Sequence, residues 1–390
     1  MGLLRFLLAT CVITGHSSPI PGLRLLDAGL AVKTFFMISG FYMTLILTSK
    51  YPMRQGGYWL FISNRFLRIY PTYLVVLAVS GLFYAAACIK LHAPVDRLEY
   101  WVQAWRGHHY SALGMILVSQ FSIFGLDLTP LFDFSASRGF GWSGTLGFGT
   151  VPAWRFNFLP HCWSVSVELF FYLAAPLICL ARRWVQMGLV LAGLAACMAA
   201  WKWLPAQLAG MATYQFFPFQ ISYLVLGVLS FHLLHPLFEK GRIHAGWSWS
   251  VLPPFAGALL FCGWLPGWLA QAGCIGLGFF AIPLLFNLSR RVRVDRFLGD
   301  ISYPMYLSHI TCKWIILATM GVSVKDSATV PGWALLLVTL VASVGLIWLV
   351  DYPVDRWRQA RVARAARPGV LDGGLKVTVK SARGFRTYDL

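Results

Sequence analysis

Charge is scarce in this sequence, and negative charge is the scarcest. Asp, Glu, Lys and Arg make up 12% of the 390 residues, with 14 acidic side chains against 32 basic ones. That charged share is about half of what an average soluble domain carries. A soluble chain of this length has too little interior to hide a residue complement that is 58% hydrophobic. Cysteine pairing is also missing. None of the eight cysteines forms a Cys-x-x-Cys pair, and most sit inside apolar runs. This argues against a disulfide framework or a zinc site and for cysteine as a small buried hydrophobe, so no metal is expected. No glycine-rich nucleotide loop, zinc-binding His-Glu-x-x-His or Gly-x-Ser-x-Gly elbow occurs.

What is present suits a bilayer. Mean hydropathy is +0.66, and the 17 Trp, 29 Phe and 15 Tyr are the side chains that anchor at membrane interfaces. The net charge of +18 could signal nucleic acid. The basic residues stand in short clusters between apolar runs, however, which is the pattern of positive-inside topology, and no nucleic-acid partner is expected. Apolar runs long enough to span recur near 3–16, 29–48, 71–89, 161–181, 185–203, 214–234, 247–265, 268–288, 301–321 and 332–350. The fold class is therefore all-α: a polytopic helix bundle of about ten transmembrane helices in a cell membrane, with both termini cytoplasmic. A secretory leader competes for 3–16, but no small-x-small cleavage site follows it.

Segment 111–126 decides the orientation, and we read it as lying on the surface or re-entering. The N-terminus, loop 49–70, Arg182–Arg183, loop 235–246, loop 289–300 and the tail then collect most of the lysines and arginines on the cytoplasmic side. The opposite side holds one long segment, 90–160, rich in Trp, Gly, Phe and Pro. Residues 1–355 are expected to form the membrane domain. Residues 356–390 form a basic cytoplasmic tail whose Arg356, Arg358, Arg361, Arg364 and Arg367 lie against anionic headgroups. No internal repeat supports inverted transporter halves.

Polar groups inside apolar helices are costly, so each marks a site. Arg5 and His16 stand 11 residues apart on the first helix, close to three turns and hence on one face. A snorkelling arginine and an interfacial histidine are the competing reading. Arg65 and Arg68 share a face at i, i+3 and suit a polyphosphate, which guanidinium binds through paired hydrogen bonds. A positive-inside anchor competes there. His161, Ser164 and Glu168 fall on one face of the next segment, and Glu168 is the deepest acidic residue of any span, unless a helix partner merely neutralises it. Ser302, Tyr306, His309 and Lys313 form a polar stripe on an otherwise apolar helix. A cavity lining and a satisfied core histidine are the two readings of it.

Taken in order, these stretches resemble acyltransferase family three, whose members are integral membrane enzymes. Arg5 and His16 resemble its Arg-x10-His signature. Gly29 with Phe35-Phe36-Met37-Ile38-Ser39-Gly40-Phe41 resembles its Gly…Phe-Phe-x-x-Ser-Gly-Phe segment. Arg65-Phe66-Leu67-Arg68-Ile69-Tyr70-Pro71 resembles Arg-x-x-Arg-Ile-x-Pro. His161-Cys162-Trp163-Ser164 through Glu168 and Phe171-Tyr172, then Ser302 to His309, then Asp351-Tyr352-Pro353, are similar to its later motifs. Lys33 stands where the family more often has an acidic or apolar residue. The likeness runs from residue 5 to about 357.

The resemblance implies acyl transfer, commonly of acetyl, from an acyl-CoA co-substrate to a carbohydrate-type acceptor, with no permanently bound cofactor. A sugar hydroxyl needs a general base, and histidine suits that task. His16 is expected to be the base. Glu168 is expected to orient it or to bind the acceptor. Arg5, Arg65 and Arg68 would hold the CoA phosphates, while His161, Trp163, Ser164, Tyr306 and His309 would line the substrate cavity. This topology puts Arg65 and Arg68 inside and His16 and His161 toward the outside, so either the CoA arm bridges the gap through a tunnel or His16 carries the acyl group as a covalent intermediate. The alternative function is a transporter or flippase for a glycan or lipid-linked substrate, which would use the same stripes as a path.

Overall fold

The fold is known from a computed structural model that describes residues 1–20, 25–49, 57–92, 97–145, 150–239, 257, 267–290, 292–320, 330–365, 377–381 and 384–388. Helix dominates it. The chain opens with α1 (Gly2–Gly15), α2 (Ala28–Ser49) and α3 (Gly57–Leu91), followed by short α4 (Arg97–Arg106) and α5 (Tyr110–Ser122). A small antiparallel sheet comes next: β1 (Phe132–Ser135) lies between β2 (Gly139–Trp142) and β3 (Val151–Pro152). Then come α6 (Trp163–Cys179), α7 (Arg183–Trp203), α8 (Ala206–Gln215), α9 (Phe217–Glu239), α10 (Gly267–Ser289), α11 (Arg293–Thr319) and α12 (Gly332–Leu346). A π-helical turn, Ile347–Asp351, leads into α13 (Tyr352–Ala365). Val377–Ser381 and Gly384–Tyr388 pair as a hairpin.

The outer surface explains the composition. Besides Trp203 at its end, the exposed large side chains of α7 are Trp184, Met187, Leu191, Leu194, Met198 and Trp201. Their alternating spacing of three and four draws one apolar stripe along the whole helix. In water such a stripe would need a partner; in lipid it needs none, and the terminal tryptophans fall where interface anchors belong. The inner helix is α2. It packs chiefly on α9, while α1 packs on α11.

Glycine sets the closest crossing. A Cβ at Gly40 would stand 1.9 Å from the Leu224 carbonyl oxygen, and one at Gly227 1.9 Å from that of Met37. The two backbones therefore touch where only hydrogen fits. Gly40→Ala or Gly227→Ala is expected to cost about 1–3 kcal/mol by overpacking. The loss should appear as a lower melting temperature of the detergent-solubilised protein. An unchanged melting temperature in both variants would rule out this crossing.

Seven helices among the described residues are long and apolar enough to cross a membrane. The expected count of about ten thus becomes a polytopic helical protein with seven qualifying helices. The first expected span, α1, has only 14 residues, a rise of about 21 Å against a core of about 30 Å. The ninth, α11, begins at Arg293 rather than 301, so it carries Asp295, Arg296 and Asp300 in its first turns. The seventh, 247–265, lies outside the described residues apart from residue 257.

Two expected loops are helical instead. Loop 49–70 holds the first part of α3, which places Arg65 and Arg68 within a helix. Most of the 289–300 loop belongs to α11. Segment 111–126 becomes α5, whose 13 residues rise about 20 Å, too little to span alone.

The start of α1 meets the start of α11, and α13 meets α3. The Asp295 carboxylate of α11 accepts the backbone N–H groups of Gly2 (2.9 Å) and Leu3 (2.8 Å), capping α1 from a neighbouring helix. Arg358 of α13 donates to the Asn64 carbonyl and pairs with Asp355, and Arg361 donates to Ser63 Oγ at 3.1 Å. These two tail arginines were expected to lie against lipid headgroups. They grip α3 instead, because α13 folds back along it.

Candidate active site

A cavity of about 350 Å³ opens among α1, α2, α3, α6, α10 and α11. Its size is near the lower end of ligand sites, roughly 300–1,000 Å³. Five arginines line it: Arg5 from α1, Arg65 and Arg68 from α3, Arg290 after α10, and Arg296 from α11. Glu168, Asp295 and Asp300 line it as well. The Asp300 carboxylate stands 3.8 Å from Arg68, and Asp295 is engaged at the α1 terminus. Ser164, Ser302, Tyr303 and Tyr306 complete the lining. The three sequence-predicted arginines thus meet in one concave, positively charged space, although they come from helices some 60 residues apart in the chain.

Glu168 faces this space. Its carboxylate accepts hydrogen bonds from Ser39 Oγ (2.6 Å) and from the Tyr172 hydroxyl. Ser39 is one step before the α2 crossing glycine, and Tyr172 is one helical turn beyond Glu168. Among the described residues Glu168 has no contact with His16, so the expected imidazole–carboxylate pair does not form in this structure.

The histidines form a second group behind the Ser164–Tyr306 wall. The ring centroid of His309 lies 5.2 Å from that of His16 and 4.6 Å from that of His161. Lys313, one turn beyond His309, donates from Nζ to the His16 carbonyl at 2.7 Å. The polar stripe of α11 is therefore divided: Ser302 and Tyr306 face the cavity, and His309 and Lys313 serve the histidine group.

Two shared-face readings fail for local reasons. His161 belongs to the 3-10 turn Pro160–Cys162 rather than to α6. Ser164 and Glu168 therefore share the cavity face, and His161 does not. His16 is the C-cap of α1, past its last helical residue, and it turns away from the cavity that Arg5 enters.

Hydrogen bonds define the protons on the buried rings. A carbonyl only accepts. The contact of His161 Nε2 with the Leu307 oxygen at 3.1 Å therefore puts the proton on Nε2, and that of His309 Nδ1 with the Tyr306 oxygen at 2.6 Å puts it on Nδ1. The remaining nitrogens, His161 Nδ1 and His309 Nε2, are buried lone pairs with no hydrogen-bond partner. Such an orphan acceptor costs on the order of 1–3 kcal/mol, which a ligand hydroxyl entering this space would recover. His16 is only partly buried.

Trp163, expected in the substrate cavity, lies beside it. Its ring packs against Phe36 at 6.2 Å and Tyr214 at 5.2 Å. In the 90–160 segment, Trp105 and Trp142 expose 64% and 53% of their surface, whereas the indole N–H of Trp101 is spent on the Phe156 carbonyl. One face of Trp142 is stacked on Phe132, at 4.7 Å between centroids. Arg290, Arg296, Asp300 and the Ser39–Tyr172 support of Glu168 escaped the sequence reading. Ser39 and Tyr172 stand inside recognisable motifs, but nothing in the chain order says that they meet Glu168.

The family model described as an acyltransferase domain, that of acyltransferase family 3, matches residues 1–352. The chain belongs to that family, and it carries several helices long and apolar enough to cross a membrane. An uncharacterized protein of Haemophilus influenzae is 27% identical over 145 residues, 37% of this chain. The matched stretch spans 46% of that relative's length. No solved structure matches the chain at a significant level.

Proposed function

We propose that the protein transfers an acyl group, acetyl in the simplest case, from acyl-CoA to a hydroxyl of a carbohydrate-type acceptor at a cell membrane. The observation that carries this reading is the cavity: arginines from separate helices line it, and so does Tyr306, whose ring lies beside those of His161 and His309. CoA is anionic at its nucleotide end and reactive at the far end of a long arm. The arginines suit the phosphates, since guanidinium binds them through paired, charge-assisted hydrogen bonds. We take them as cytoplasmic because the sequence assigns their segments to that side.

In this reading Arg5, Arg65 and Arg68 hold the diphosphate. Glu168, fixed by Ser39 and Tyr172, accepts an amide N–H of the pantetheine arm; this replaces the sequence-based role of orienting His16. His16 removes the proton of the acceptor hydroxyl. The hydroxyl oxygen attacks the thioester carbonyl, the C–S bond breaks, and the proton leaves with the CoA thiol. The acceptor approaches from the side of His16, Trp163 and the 90–160 segment, where exposed Trp105 and Trp142 could stack on sugar rings.

The test is incubation of the purified protein, in lipid nanodiscs, with acetyl-CoA labelled in the acetyl group and a panel of neutral and acidic glycans. Label is expected on a glycan hydroxyl in step with thiol release. An intact thioester with every acceptor would overturn the proposal and would leave the transporter reading to be tested by flux.

A further inference from the structure

None of the three histidines lines the arginine cavity, and the side chain of Tyr306 touches both it and the rings of His161 and His309. Tyr306 lines the cavity. Its hydroxyl donates to the His161 carbonyl at 2.7 Å and is bonded to Ser164 Oγ at 2.6 Å. Ser164 lines the cavity too, and none of His16, His161 and His309 does. On the far side the Tyr306 ring lies 5.3 Å from the His161 ring and 5.9 Å from that of His309. Behind Tyr306 lie the two orphan imidazole nitrogens, His161 Nδ1 and His309 Nε2. A wall with a docking point for phosphates on one side and unsatisfied lone pairs on the other has a transferred group to pass.

We propose that Tyr306 is the partition between donor and acceptor: the thioester reaches the histidine group only when Tyr306 gives up its bonds to Ser164 and the His161 carbonyl. The proposal rests on the acyl-CoA reading above. Its consequence is chemical selectivity. With the partition closed, the thioester carbonyl stays on the arginine side, away from the three imidazoles. With it open, the nucleophile waiting at His16 takes the acyl group. An acceptor hydroxyl gives the ester and free CoA thiol. Water in the same place gives the free acid and the same thiol, a wasted turnover. Tyr306 is thus a positioning residue that controls the ratio of transfer to hydrolysis.

Tyr306→Phe keeps the ring and deletes both latching bonds. Ser164→Ala deletes one of them and leaves the His161 carbonyl in place. Two products are measured side by side in nanodiscs: free thiol by its reaction with a disulfide dye, and labelled acyl-glycan. The wild type is expected to release thiol slowly without acceptor, and one thiol per acyl-glycan with it. Tyr306→Phe is expected to raise acceptor-free thiol release about tenfold or more, since two hydrogen bonds of about 1 kcal/mol each are lost. It should also release more than one thiol per acyl-glycan. Ser164→Ala should move both readings the same way by a smaller factor.

Wild-type ratios in both variants would overturn the partition. So would a Tyr306→Phe protein that melts like the wild type and binds CoA but neither transfers nor hydrolyses, since the hydroxyl would then act in the chemistry itself. A wild type that consumes no acyl-CoA with or without acceptor would bring down the underlying donor assignment instead. These failures are distinguishable.

Discussion

His16→Ala is expected to reduce acyl transfer by about 10²–10⁴-fold, the range that a positioned general base supplies, while membrane insertion and CoA binding survive. His16 is suited to this role by its place. As the C-cap of α1 it sits at the end of the helix, only partly buried, with its ring 5.2 Å from that of His309. His161 and His309 are buried and each spends one nitrogen on a backbone carbonyl, whereas no described hydrogen bond engages the His16 ring. The imidazole can therefore meet an acceptor arriving from outside the cavity.

The fold should tolerate the truncation. Lys313 is bonded to the His16 main-chain oxygen, which alanine also has. The arginines that would bind CoA lie in the cavity, which the His16 ring does not line. The measurement is labelled acetyl transfer in nanodiscs, with CoA binding followed by calorimetry on the same sample. Turnover near the wild-type rate would remove His16 from the mechanism. Loss of CoA binding together with activity would mean that His16 holds the bundle together rather than acting on the acceptor.

The second large effect belongs to the arginines. Arg65→Gln with Arg68→Gln is expected to weaken CoA binding by about 10²–10⁴-fold, since a charge-assisted hydrogen bond contributes about 1.5–3 kcal/mol and two positions are lost. The affinity of the wild type should fall as salt is raised, and that of the double variant should fall less steeply. The single variants are not equivalent. Arg68 faces Asp300 at 3.8 Å, so removing it leaves a half-exposed carboxylate inside a site meant for anions. Arg68→Gln should therefore weaken CoA more than Arg65→Gln does, and adding Asp300→Asn to Arg68→Gln should restore part of the loss. Titration of CoA into each variant in nanodiscs at low and high salt reads all of this. Equal affinities across the series would show that the phosphates bind elsewhere.

Much of the molecule was legible before any coordinates. Hydropathy is a local property, and a run of about 20 apolar residues has few fates other than a buried or lipid-facing helix. The helices at 28–49, 183–203 and 267–289 were therefore visible to within a few residues. So were the charged side chains that lipid forbids: Arg5, Arg65, Arg68 and Glu168 stood out by their cost, and all four line one cavity. The order of motifs from Arg5 to Asp351 also carried the family.

Other features depended on partners far away in the chain. Helical spacing put Arg5 with His16, and His161 with Glu168, but spacing holds only while the helix does. One pair is broken by the end of α1 at Gly15 and the other by the 3-10 turn at Pro160–Cys162. The neighbours of Glu168 and Arg68 come from α2 and α11, at separations of 129 and 232 residues, and no local pattern encodes which helix faces which. Helix-to-helix register is set by close packing, here by Gly40 and Gly227 letting α2 and α9 touch. Residue chemistry along the chain told which groups lipid would not tolerate. Packing between helices chose the company those groups keep, and it put Tyr306 between the arginines and the histidines.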